Sequence, residues 1–271
     1  MGYDGNVRPS GAGMMALVSL GGAAACGRYG FDDHVPRTAD AQAIDAAAID
    51  APPDAPPADL QISLTVDIGY VLSVGTDTQL LATLGGVVNG QGSANDITSC
   101  PVGLGPEEYT FVRAHHPTAT FVYVAAWDDE LLERGFVGVL HPIGASSAGS
   151  HDILTGDAGW QVCATGDYPG PAGPLADDHI AAGLASCNAA AGPSKGWLTP
   201  AGPLTTGAVG HELVGPDQST GMPLGPVCSD PGGVPLTAKW IWYHPTLTDI
   251  SGFQATQTND DQGFLIFRYP I

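Results

Sequence analysis

The chain has 271 residues, 44% of them hydrophobic and 13% charged, and its 28 acidic side chains against eight lysines and arginines give a formal net charge of −20. So acidic a chain repels nucleic acid and anionic lipid headgroups, which excludes nucleic acid as a partner held by charge. The hydrophobic content suffices for a packed core, so the chain as a whole is not a disordered one.

Residues 1–25 read as a signal peptide. The run Met14–Ala25 is apolar, inside the roughly 7–15 residues of a secretory signal and short of the about 20 that cross a bilayer. Arg8 is the only base ahead of it, opposed by Asp4. At its end stands Ala23-Ala24-Ala25-Cys26, which resembles a bacterial lipobox with Ala where Leu is usual. Cys26-Gly27-Arg28-Tyr29-Gly30-Phe31-Asp32 is similar to the start of mature lipoproteins from myxobacteria-like bacteria. The resemblance implies a lipid on Cys26 and the membrane as a partner through that anchor. It also implies an exported protein, held at the outer membrane or lying at the cell surface or in the periplasm of a Gram-negative bacterium. The other reading of the same residues is a secreted protein cut after Ala25.

Cysteine use agrees with export. Five are present, Cys26, Cys100, Cys163, Cys187 and Cys228, and an odd number in an exported chain needs an explanation. Lipidation of Cys26 supplies one and leaves four for two disulfides in an oxidising compartment, with three pairings open. No C-x-x-C pair occurs, which removes the spacing of a structural zinc site.

Residues 26–59 form an acidic Pro/Ala tether. They carry seven aspartates and almost nothing to bury, so they cannot offset their ordering entropy. Pro52-Pro53 and Pro56-Pro57 favour an extended, semi-stiff stalk. Residues 60–271 read as a disulfide-stapled β domain. They hold 20 of the acids and five of the bases, a charge near −15. Calcium is a candidate counter-charge, since it takes carboxylate and carbonyl oxygens.

Within the domain, Gly and Pro punctuate short apolar runs, the pattern of a mainly β fold. Ile62–Val74 alternates apolar and polar residues and reads as one long strand with seven apolar side chains on one face. Gly69 marks a bend or bulge in it. Leu80–Leu84 follows. Tyr109–Arg113 and Thr120–Trp127 read as a hairpin around His115-His116-Pro117-Thr118. Phe136–Leu140, Ile153-Leu154 and Trp160–Ala164 are further strands. Leu175–Ala191 breaks the pattern: Ile180, Leu184 and Cys187 recur at i, i+4 and i+7, one helical face, with Asp177 and Asp178 in the first turn. Cys187 on that face is placed to bridge the helix to a strand such as the one carrying Cys163. Gly192–Leu236 reads as loop. Lys239–His244 and Phe264–Tyr269 close the chain as two central strands.

This spacing argues for a β-sandwich or jelly-roll with one short amphipathic helix. The stretch Asp67–Gly75, the strand Lys239–Trp242 and the strand Phe264–Arg268 resemble, distantly, those of jelly-roll, galactose-binding-like modules. That resemblance implies a ligand-binding sandwich, and no binding residue is carried over from it.

Several constellations compete as sites. Asp128-Asp129-Glu130 follows a strand end; clustered carboxylates there suit calcium or the acid and base of a glycosidase, and they also read as the first turn of a helix. Asn259-Asp260-Asp261 has calcium-ligand oxygens without the full loop register, and a hairpin turn explains it as well. His211-Glu212 does not continue into H-E-x-x-H, and His115-His116 lacks a third ligand nearby. Trp240, Trp242, Tyr243 and Trp127 are candidates for stacking on sugar rings, with core packing as the competing role. The leading expectation is a non-catalytic surface module, binding a glycan or a surface protein without a cofactor. Its alternatives are a carboxylate-dependent, glycosidase-like hydrolase and a structural coat protein.

Overall fold

A computed structural model describes residues 58–66, 69–88, 106–127, 134–144, 151–167, 175–220, 227, 233–253 and 263–271. The fold is mainly β: two antiparallel sheets face each other as a sandwich, and one helix covers the outer side of the second sheet. The strands are β1 (Asp59–Val66), β2 (Gly69–Gly75), β3 (Leu80–Val88), β4 (Glu107–Phe111), β5 (Phe121–Trp127), β6 (Phe136–Ile143), β7 (Ile153–Leu154), β8 (Gln161–Ala164), β9 (Leu198–Thr199), β10 (Gly202–Pro203), β11 (His211–Asp217), β12 (Lys239–His244) and β13 (Leu265–Pro270). The six-stranded sheet runs β11-β12-β6-β1-β4, with β7 alongside β6. The seven-stranded sheet runs β10-β9-β8-β13-β5-β2-β3.

The alternating stretch at the start of the domain keeps its period but not its unity. It divides into β1 of the first sheet and β2 of the second. Leu60, Ile62, Leu64 and Val66 enter the inter-sheet core from one side, and Tyr70, Leu72 and Val74 enter the same core from the other. Six of the seven alternating apolar residues, with Leu60 ahead of them, thus serve one core from opposing sheets, while Ile68 lies outside the described residues. Gly69 sits where β2 begins. A Cβ there would lie 2.5 Å from the Trp127 ring, so the missing side chain admits the indole. The expected hairpin around His115–Thr118 is not one, because β4 pairs with β1 in one sheet and β5 with β13 and β2 in the other. A turn is present, but the chain crosses between layers there. The expected loop Gly192–Leu236 contains β9, β10 and β11. Two of these are only two residues long, below any readable period.

The helix, α1 (Asp177–Asn188), lies within the expected span and buries Ile180, Gly183, Leu184 and Cys187. These pack with Val71, Tyr123, Ala125, Cys163 and Ile266 as a second core. The seven-stranded sheet is therefore covered on both faces. Burying Ile180 and Leu184 stabilises the contact by about 1.5–3 kcal/mol each. A disulfide joins Cys163 on β8 to Cys187 on α1, 24 residues apart. Closing a loop of that size is worth about 3–4 kcal/mol in the chain-entropy view. Cys26, Cys100 and Cys228 lie outside the described residues.

Arg268 on β13 ties these layers together. It is 5% exposed, and its guanidinium lies 3.7 Å from the Trp197 ring centroid and 4.6 Å from that of Phe121. Its Nε donates to Gln161 Oε1 at 2.7 Å and its Nη1 to Asp77 Oδ1 at 2.6 Å. Asn188 Nδ2, at the end of α1, donates to the Asp77 carbonyl, and Trp197 Nε1 donates to Asn188 Oδ1, each at 2.8 Å.

Gly183 sets how closely the helix lies on the sheet. A Cβ there would come within 2.5 Å of the Phe264 ring and 2.9 Å of Thr165 Cγ2. Alanine is the better helix former by about 1 kcal/mol, while overpacking a dense core costs about 1–3 kcal/mol. Gly183→Ala is therefore expected to lower the thermal midpoint despite its higher helix propensity. A midpoint unchanged or raised in a calorimetric scan would show that the interface yields.

Candidate functional site

Most of the outer face of the first sheet is covered as well, with Ser63, Val139, Ile241 and Tyr243 at most 5% exposed, and its side chains reach solvent around Gln61, Glu108 and His141. Alternation along β1 sends Leu60, Ile62 and Leu64 inward and leaves Gln61 and Ser63 on the other face. The register sets Gln61 opposite His141 and Ser63 opposite Val139 on β6. On the other flank Ser63 lies opposite Glu108 of β4. Gln61, Ser63, Val139 and His141, with Asp152 ahead of β7 and with Gly233 and Pro235, border a groove of about 240 Å³.

The groove is organised by side-chain hydrogen bonds. His141 Nδ1 is bonded to Asp152 Oδ1, and both side chains are about half exposed. A carboxylate bonded to one ring nitrogen holds the imidazole in a fixed orientation. Gln61 Nε2 donates to Glu108 Oε2 at 3.2 Å, which orients the amide. An amide, an imidazole and carboxylates on a rigid sheet give the mixed donors and acceptors that a hydroxyl-rich ligand requires.

The aromatic residues expected to stack on sugars lie elsewhere. Trp240, Trp242, Tyr243 and Trp127 are all at most 3% exposed. Trp242 packs 5.8 Å from the Phe267 ring, centroid to centroid, and Trp127 closes over Gly69. None offers a free face, so the stacking role is corrected to a core role; large aromatics serve a sandwich first by burying area. Asp128, Asp129, Glu130, Asn259, Asp260 and Asp261 lie outside the described residues. Among the described residues no three His, Cys, Asp or Glu side chains gather as a metal site. The groove residues come from separate strands and form no local motif. Their one signal in the sequence is the polar half of the β1 alternation.

No protein-family model matches the chain, and no curated protein or solved structure is similar to it. Its function has to be read from its own geometry.

A second polar feature lies on β11. Glu212 faces Tyr243 across the β11–β12 ladder and is 6% exposed. Neither carboxyl oxygen has a hydrogen-bond partner among the described residues. Burial pushes this carboxyl well above the ordinary carboxylate range and pushes the Tyr243 phenol up to about 12. In the unfolded chain Glu212 ionises near pH 4.3, whereas in the fold it stays protonated above that. The folded state then holds one proton more, so its stability falls as pH rises from about 4.3 to the raised folded value, by about 1.4 kcal/mol per pH unit. Glu212→Gln keeps the shape and removes the titration. Urea midpoints measured from pH 4 to 8 are expected to fall more steeply for the native chain than for the variant. Parallel pH profiles would mean that the buried carboxyl is ionised in the fold.

Proposed function

We propose that the chain is a non-catalytic binding module, held at a bacterial cell surface by a lipid on Cys26. Its ligand is a hydroxyl-rich glycan or matrix polysaccharide, taken in the groove beside Gln61 and His141 on the outer side of the six-stranded sheet. The groove bordered by Gln61, Ser63, His141 and Asp152 carries this reading. Its hydrogen-bonding groups are held in register by paired strands, the preorganisation that weak polar ligands need. Support for the anchor is Ala23-Ala24-Ala25-Cys26 followed by the acidic tether. A strongly negative module on a stalk stays clear of the anionic bilayer below it.

Cys26→Ser is expected to move the protein from the membrane fraction to the soluble fraction and to remove the acyl mass from its N-terminal peptide. Retention in the membrane without that mass would overturn the anchor. The soluble Cys26→Ser chain then suits a glycan array, run with calcium and with chelator. Binding is expected, and His141→Ala or Gln61→Ala should weaken it roughly tenfold, the loss of one or two good hydrogen bonds. Absence of any glycan signal would sink the binding assignment.

A second reading is hydrolysis of the bound glycan, favoured by the His141–Asp152 pair, since a carboxylate-oriented imidazole is a competent general base. Release of new reducing ends with a bell-shaped pH profile would select it over simple binding.

A further inference from the structure

Among the described residues the two sheets end on β4, β11, β10 and β3, with the two-residue β7 a short spur on β6, and all but β3 are guarded. β4 carries Glu107 and Glu108, β11 carries Pro216 and Asp217, and β10 is only two residues long and includes Pro203. Charges, prolines and shortness are the usual means of keeping an edge from pairing with another chain. β3 has none of them. It runs nine residues, Leu-Leu-Ala-Thr-Leu-Gly-Gly-Val-Val, without a charge or a proline. None of its residues 80–87 is buried, although every residue of its neighbour β2 is. Two register shifts twist the β2–β3 ladder, yet no strand pairs with the outer side of β3 among the described residues.

Beside this edge lies a cleft of about 370 Å³, between Gln79–Thr83 and the start of α1. Asp177 and Asp178 stand on its helical wall, with Ala181 and Leu184 below them. Thr83 Oγ1 donates to Asp177 Oδ1 at 2.7 Å, which fixes the wall against the strand. We propose that the outer edge of β3 docks an extended segment of a basic partner protein. The segment adds a strand to the sheet through its backbone and sets lysine or arginine side chains against Asp177 and Asp178.

Two observations choose this occupant. A strand added to an open edge gains its affinity from main-chain hydrogen bonds and its selectivity from alternate side chains, which here fall beside two carboxylates. The helix N-terminus offsets about half a charge of that pair and leaves the cleft negative. The chain itself makes a poor occupant. At −20, with eight bases in all, a second copy or the acidic tether would bring further negative charge to the same place. The site is independent of the groove on the other sheet.

The test uses the soluble Cys26→Ser chain and an end-capped peptide of about eight alternating lysines and valines, the length of an ordinary strand. A glutamate–valine peptide of the same length is the control. The lysine peptide is expected to bind and to slow amide exchange across residues 80–87, and the glutamate peptide to do neither. Asp177→Asn with Asp178→Asn should weaken binding roughly tenfold, in line with the loss of two partly screened charge pairs. Gln79→Lys, at the exposed turn, should weaken it in a fold left intact. Equal binding of the two peptides, or no protection of β3 by either, would overturn the proposal. So would concentration-dependent dimers that protect the same amides without any peptide, because the edge would then serve a second copy.

Discussion

A guanidinium cannot shed its proton, so burying Arg268 commits the fold to satisfying a permanent charge. A buried charge is tolerated only when it is paired and hydrogen-bonded, and removing one partner commonly costs several kcal/mol. The partners here are dispersed along the chain: Asp77 in the β2–β3 turn, Gln161 on β8, and the rings of Phe121 and Trp197. Asn188 then fastens both Asp77 and Trp197 to the end of α1. The charge is met only when the helix, two strands, a turn and a loop are all in place. Asp77 is itself 63% exposed, so water screens that ion pair. The flat stacking between two rings and the bond to Gln161 matter more to the burial than the salt bridge does.

The layering decides where ligands can be met. One sheet spends both faces on packing, against its partner sheet and against α1, so it meets solvent only at its rim. The other has most of its outer face covered too and presents polar side chains to solvent in one place, around the cross-strand pair Gln61 and His141. A face and an edge recognise different things. The face offers fixed side-chain groups to a small or repeating ligand; the edge offers backbone to another polypeptide. The groove and the β3 edge follow from this division and lie on opposite sheets.

What the sequence discloses is what depends on local period. The i, i+4, i+7 spacing of Ile180, Leu184 and Cys187 marks the helix and its buried face, and the alternation from Ile62 to Val74 marks which side chains meet the core. Sheet membership is not local. Nothing in the alternation says that the chain changes sheets between Val66 and Gly69, because a residue that points inward from either layer looks the same. The turn at His115–Thr118 is legible as a turn, while the fact that its arms belong to different sheets is set by distant partners such as β1 and β13. The aromatic residues misled for a related reason. Trp240 and Trp242 carry the same composition whether they anchor a core or stack on a sugar, and only burial separates the two. The groove was least visible, since Gln61, His141 and Asp152 meet through strand pairing across some ninety residues of chain.

β13 follows every other described strand, yet it lies in the interior of its sheet, between β8 and β5. Until it has been synthesised, β5 and β8 have no shared neighbour, the slot for Phe267 is empty and Arg268 cannot gather its partners. Vectorial folding from the N-terminus, available to many domains during translation, therefore cannot finish this one. The pairings that close it are distant in sequence, which makes for slow folding. An emerging chain of this kind cannot close its second sheet before β13 has been made.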